Sequence, residues 1–324
     1  MRYYLRYGVD LKEREEFTFS PVNFGVVLHA VIREVCDEIK KNGESYYLIS
    51  EEKRREMVKR SVSAITDIYQ NSILKDSSRN SFMIKRMEDL ADRTIWAMGE
   101  QLKCGDFVPF VFEHKFNMEV GDGDRKQLMS GTIDRVDICE NDTDVYVRII
   151  DYKTGKKDFN IVKTYYGIDI QLMVYMEAAM KLVAKMRPGK NVVPAGVFYY
   201  NISDPIVSAT NESAEEIEDK IKGELRLKGM VNSDKDIAEK MDNTGGTSLN
   251  IPVSRKADGG FDSRRSKVMN TEQFNMLGRF VDVRAVDTAD RIAGGDIRRS
   301  PYKDGQFSSC DRCPYGAVSV SYTH

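Results

Sequence analysis

The sequence predicts an α/β fold: a mixed central sheet flanked by helices, with extra helices at the N- and C-terminal ends. Three observations predict it. Apolar residues recur at helical spacing from Phe24 to Met98. The pattern then switches to period two over residues 107–154. A helically spaced stretch, 169–186, finally separates that region from a further β-type run, Ala195 to Tyr200.

Each element has its own signal. Residues 1–42 read as helical after a short aromatic lead, with an apolar stripe of Phe24, Val27, Leu28, Val31, Ile32, Val35 and Ile39. Ser20 or Asn23 suits the cap, Pro21 suits the first turn, and Asn42-Gly43 ends the helix. Two more helices are expected over 51–73 and 80–103, with stripes running from Met57 to Tyr69 and from Phe82 to Met98. Breaks at Gly121-Asp122-Gly123 and Asn141-Asp142 divide 107–154 into three strands of a meander. Arg187-Pro188-Gly189 ends the next helix. Residues 204–268 are polar and predict a helix at 213–229 followed by mobile connections, and 271–294 predicts a last long helix. The expected organisation is one continuous domain in three parts: a helical part over 1–105, a core over 106–203 and a helical extension over 204–324.

Composition sets bounds. The 324 residues are 41% hydrophobic and 31% charged, as in soluble globular chains, and can bury a large core. No apolar run approaches bilayer-spanning length, and Met1-Arg2-Tyr3-Tyr4-Leu5-Arg6 lacks the apolar region of a secretory signal, so the cytoplasm is the expected location. A net charge of −2 argues against tail-driven, histone-like binding to nucleic acid. Local basic clusters do exist: Lys153, Lys156, Lys157 and Lys163, then Arg264, Arg265 and Lys267. Such clusters are as often solvated faces as phosphate contacts. Thr154-Gly155-Lys156 is only a fragment of a phosphate-binding loop, so ATP hydrolysis is not expected of this chain.

The chemistry concentrates between Gly131 and Tyr175. The chain reads Gly131-Thr132-Ile133-Asp134-Arg135-Val136-Asp137, then Asp151-Tyr152-Lys153-Thr154-Gly155, then Gln171 and Tyr175 four apart. Side chains alternate faces on a strand, so Asp151 and Lys153 point the same way. If the two runs pair, the Asp134 and Asp151 carboxylates and the Lys153 ammonium converge. Two carboxylates suit a hard divalent cation such as Mg²⁺, and a nearby lysine suits a phosphoryl group under attack. Asp-x-Lys alone is common; the joint pattern is rare. Alone, His29 beside its apolar stripe would more often be a buried, hydrogen-bonded histidine, and Gln171 and Tyr175 share a helical face as boundary residues do. Glu113 is a further candidate carboxylate, or simply an edge-strand residue.

Gly-x-x-Asp-Arg-x-Asp, Asp-Tyr-Lys-Thr-Gly and Gln-x-x-x-Tyr, with His29 upstream, resemble the PD-(D/E)XK nucleases in their RecB-like branch. The resemblance implies a restriction-endonuclease-like core and metal-dependent cleavage of DNA. It implies Asp134, Asp151, His29 and the Tyr152 backbone carbonyl as ligands of Mg²⁺ or Mn²⁺. It implies Lys153 as the catalytic lysine, with Gln171 and Tyr175 supporting the site or touching DNA.

The two ends narrow the resemblance. Tyr3-Tyr4-Leu5-Arg6-Tyr7-Gly8 and Gly294-Gly295-Asp296-Ile297, Pro301-Tyr302 and Cys310-x-x-Cys313-Pro314-Tyr315 resemble the nuclease domain of AddB-type subunits of bacterial break-repair helicase–nucleases. That family implies an AddA-type helicase–nuclease partner, cleavage of the unwound, 5′-ended strand, and a [4Fe–4S] cluster on four cysteines. Here only Cys310 and Cys313 match: Ser319 stands where the last cysteine is expected, and the first would precede Met1. Val320-Ser321-Tyr322-Thr323-His324 resembles translated adapter sequence, so the expectation is a fragment cut at both ends on which the cluster does not assemble and both ends fray. Cys36, Cys104 and Cys139 read as buried thiols. The rival readings are a stand-alone RecB-like exonuclease, as in CRISPR adaptation, and a DNA-binding scaffold that does not cut.

Overall fold

Helical spacing at the start of the chain becomes three helices, α1 (Pro21–Lys41), α2 (Glu51–Tyr69) and α3 (Ser78–Lys103). The computed structural model describes residues 21–69, 78–121, 126–208, 211–296, 301–305 and 307–310. The lead segment from Tyr3, Ser20, Cys313 and everything beyond it lie outside the described residues. At the foot of α1, Gly43 takes φ 68°, and the N–H groups of Gly43 and Glu44 close on Lys40 and Ile39.

The period-two region forms the expected meander of β1 (Val108–Val120), β2 (Gln127–Glu140) and β3 (Asp144–Lys153). Asn141 fixes the β2–β3 turn by accepting from the N–H groups of Thr143 and Asp144. After a short helix, α4 (Ile161–Tyr165), the chain enters α5 (Gln171–Met186) and crosses over to β4 (Asn191–Asn201), which pairs parallel to β3. A parallel neighbour requires such a crossover, and α5 supplies it.

The polar region departs from expectation. The helix expected over 213–229 stops as α6 (Ala214–Glu224). The residues after it pair with the sheet as β5 (Lys228–Asn232), antiparallel to β4. A second helix, α7 (Lys235–Met241), and a two-residue strand, β6 (Val268–Met269), follow. In place of mobile connections, buried Asp242 accepts from Ser248 Oγ, Asn250 Nδ2 and Thr244 Oγ1, which ties the intervening loop down. The last long helix, α8 (Thr271–Ala293), is present as expected.

The result is one mixed sheet in the order β1-β2-β3-β4-β5-β6, covered on both faces. Alternation on β3 and β4 sorts the cores. Ile150, Tyr152, Phe198 and Tyr200 face α1, α2 and α3, while Ile149, Val197 and Tyr199 face α5 and α8. Three charged residues interrupt the first core: Arg135, Asp137 and Arg148, none more than 1% exposed. The Arg135 guanidinium binds Asp137 in a fork at 2.6 and 2.7 Å, and Arg148 Nε adds a third bond at 2.8 Å. Two guanidinium groups hold the Asp137 carboxyl below its ordinary pKa despite the opposing effect of burial.

Candidate active site

Sheet register lines up the acidic residues. Phe112 pairs with Arg135 and His114 with Ile133, which sets Glu113 opposite Asp134. Arg135 pairs with Ile150, which carries the row to Asp151, and Asp151 pairs with Tyr199 on β4. Glu113, Asp134, Asp151 and Tyr199 therefore stand side by side on four adjacent strands.

The row is held from several directions. Asp134 Oδ2 accepts from the Tyr152 backbone N–H at 2.7 Å. Its other oxygen lies 3.4 Å from His29 Nδ1, and Glu113 Oε1 lies 3.5 Å from the same nitrogen. The His29 ring is set by an edge-on contact with Tyr152, centroids 5.9 Å apart. Glu113 is the one non-glycine residue with positive φ among the described residues, at 47°. L-residues enter that region at a cost of about 1–2 kcal/mol, so the fold spends strain to aim this carboxylate at His29 and Asp134.

Charge follows geometry. Burial disfavours an imidazolium at His29, but the Asp134 and Glu113 carboxylates outweigh it and raise its pKa to about 10. Asp151, only 2% exposed, is pushed up to about 6 by burial and by Asp134, against the pull of Lys153. Crowded acids of this kind, with a histidine between two of them, are what a cation would relieve.

A second chain of contacts starts at Asp151. Lys153 Nζ sits 2.6 Å from its Oδ2 and donates to Gln171 Oε1 at 3.1 Å. Gln171 Nε2 donates in turn to the Tyr175 hydroxyl at 2.9 Å. The Tyr175 ring meets Phe116 edge-on at 5.7 Å, and Gly131 makes room: a Cβ there would press both rings, at 3.0 and 3.3 Å. The glycine of the sequence motif thus seats the tyrosine of another.

All six residues singled out in the sequence come together: His29 with Asp134, and Asp151 with Lys153, Gln171 and Tyr175. Glu113 joins the first group more firmly than sequence suggested. Cys310 is exposed beyond a short β7 (Lys303–Asp304) and β8 (Phe307–Ser308) hairpin, and Cys313 is outside the described residues. Cys36 and Cys139 are buried and Cys104 partly so. Sequence reasoning missed Tyr199, whose hydroxyl donates to buried Asp169 at 2.7 Å and whose ring lies under Lys157 at 4.5 Å and Lys153 at 5.6 Å. Its only signal was an aromatic beside Asp151 in the parallel register.

The donor set fits a metal ion. His29, Glu113 and Asp134 each offer an atom, and the three atoms lie within 4.8 Å of one another. Two carboxylates and an imidazole suit a divalent cation.

A family description, PD-(D/E)XK nuclease superfamily, matches residues 1–318. The chain belongs to the PD-(D/E)XK nuclease superfamily. Within it, 98% of the chain aligns at 33% identity with the B subunit of the ATP-dependent helicase/deoxyribonuclease of Clostridium botulinum strain Hall. Proteins of the same name from Thermoanaerobacter sp. strain X514 and Caldanaerobacter subterraneus subsp. tengcongensis align over the same share at 32% and 34% identity. The chain spans 28% of the length of each of these relatives. As a member of that superfamily it carries a mixed sheet between helical layers, and it is homologous to the matching region of these relatives. Among the described residues, no helix is long and apolar enough to cross a membrane.

Proposed function

We propose that this chain hydrolyses phosphodiester bonds of DNA with Mg²⁺ or Mn²⁺, as the nuclease domain of a break-repair helicase–nuclease in the cytoplasm. The observation that carries the reading is the acidic row of Glu113, Asp134 and Asp151, flanked by His29 at one end and Lys153 at the other. His29, Glu113, Asp134 and Asp151 would hold the ion, with the Tyr152 carbonyl as a further ligand. The ion would polarise the scissile phosphate and make a bound water a better nucleophile.

The chain's own residues have separable tasks. The Tyr152 N–H keeps Asp134 turned toward His29. Lys153, steered by Asp151 and Gln171, would orient the attacking water or balance charge building on the phosphate. Tyr175 fixes Gln171, and so fixes the lysine. The relatives' name supports a helicase partner, and the resemblance of the end motifs supports an AddA-type subunit and action on the unwound, 5′-ended strand.

The test is cleavage of end-labelled single-stranded DNA by the parent chain, Asp151→Ala and Lys153→Ala, with and without EDTA. Cleavage by the parent alone that EDTA stops is the expected result. Binding without cutting by a folded parent in Mn²⁺ would move the assignment to a DNA-binding scaffold. Finding no helicase region in the same gene would favour a stand-alone exonuclease.

A further inference from the structure

The segment joining Lys153 to Gln171 is unusually apolar on its outside. In α4 Thr164 is buried, while Ile161, Val162 and Tyr165, with Tyr166 just after the helix, are each 50% exposed or more. The segment is nonetheless rigid. Asn160 caps α4 by accepting from Lys163 N–H, and the Thr164 hydroxyl contacts the carbonyl oxygens of Asn160 and Asp169. Gly167 turns the chain at φ 74°, which Gly tolerates without strain. Asp169 is clamped by the Tyr199 hydroxyl and by Lys157 at 3.0 Å.

Rings continue from this segment onto α8. Tyr165 stacks on Phe280, planes 5° apart and centroids 5.2 Å apart. Tyr165 also meets Tyr166 edge-on at 5.2 Å, and Tyr166 leans on Tyr302 at 5.0 Å. Cations are interleaved. Residues 153–169 hold four lysines and two aspartates, Asp158 paired with Lys267 and Asp169 with Lys157. Arg284 lies over Phe280 at 5.9 Å.

We propose that the α4 ring ladder, centred on Tyr165 and Tyr166, is a base-stacking platform that holds single-stranded nucleic acid beside the Lys153 end of the sheet. This rests on the nuclease reading above and deepens it. Held rigid aromatics alternating with cations match how single strands are bound without sequence readout: bases stack on rings, and phosphates lie along the lysines. Placement favours nucleic acid over a protein partner. Whatever lies on α4 lies against the one segment that links the catalytic lysine to the glutamine that positions it.

The test is equilibrium binding in EDTA, so that cutting does not intervene, with a fluorescein-labelled oligothymidylate and an abasic strand of equal length. Tyr165→Ala/Tyr166→Ala should weaken oligothymidylate binding at least about tenfold, and Tyr165→Phe/Tyr166→Phe should restore it. The abasic strand should bind the parent weakly and ignore the alanine changes. Both rings are half exposed, so the folded state should survive, and circular dichroism checks this. Double-alanine binding within about twofold of the parent overturns the platform, as does a parent that binds neither strand. Unchanged DNA binding with a shift in oligomeric state assigns the patch to a protein contact instead. A parent that binds the oligothymidylate through the rings but never cuts leaves the platform standing while the nuclease reading falls.

Discussion

Asp134 accepts a 2.7 Å hydrogen bond from the backbone N–H of Tyr152 on the neighbouring strand. One carboxylate oxygen is thereby fixed and the other is presented to His29. Asp134→Asn keeps an acceptor for that N–H but removes the charge. Cleavage should fall at least ~100-fold, with thermal stability close to the parent's. Asp134→Ala should in addition cost about 1–3 kcal/mol, because the buried N–H loses its partner. Parallel turnover and thermal-melt measurements on the two variants separate the effects.

Glu113 offers a different contrast, because its φ of 47° suits glycine better than any other residue. Glu113→Gly should leave stability within about 1 kcal/mol of the parent, strain relief offsetting the entropy of the added glycine. Glu113→Ala keeps the strain and should be less stable. Both should bind Mn²⁺ at least about tenfold more weakly by titration calorimetry. Equal Mn²⁺ affinity in parent and variants would remove Glu113 from the ligand set.

His29 sets a pH dependence. Its folded pKa, about 10, lies above its ordinary 6.5, so its stabilising contribution in metal-free protein is fully present below 6.5. That contribution is lost as pH rises through about 10. The stability advantage of the parent over His29→Gln should shrink across this window in urea titrations without metal. A ligand imidazole must shed its proton, so stabilisation by added Mn²⁺ should grow over the same window in the parent and not in the variant.

The buried Arg135–Asp137–Arg148 cluster predicts a purely structural defect. Asp137→Ala strips two enclosed guanidinium groups of their counter-charge and should destabilise by about 3–5 kcal/mol. Denaturant unfolding measures it. Unfolding at the parent's midpoint would mean that these charges are solvated after all.

What the sequence made legible follows from period and chemistry. The meander, α5, β4 and α8 were readable because each repeats one period over enough residues to declare itself. The stretch from Lys228 to Met269 was not: β5 and β6 are too short to alternate visibly, and Asp242 is satisfied by side chains that look like loop polarity. Asp134, Asp151 and Lys153 were legible because two β-type runs carried them into one row. The aim of Glu113 was not, since Phe112-Glu113-His114 gives no sign of a left-handed residue. Nor did the motif reveal that Arg135 and Asp137 face away from the acidic row, into the other core.

The parallel pairing of β3 with β4 also has a bearing on time. β1 to β3 can zip together locally, but His29 reaches Glu113 only once α1 has docked, and Gln171 reaches Lys153 only once α5 has packed on the sheet. Such distant closures form late on the folding route. A cation gripping the finished site would therefore act as a brake on opening: it should lengthen the native lifetime and leave the refolding rate almost untouched.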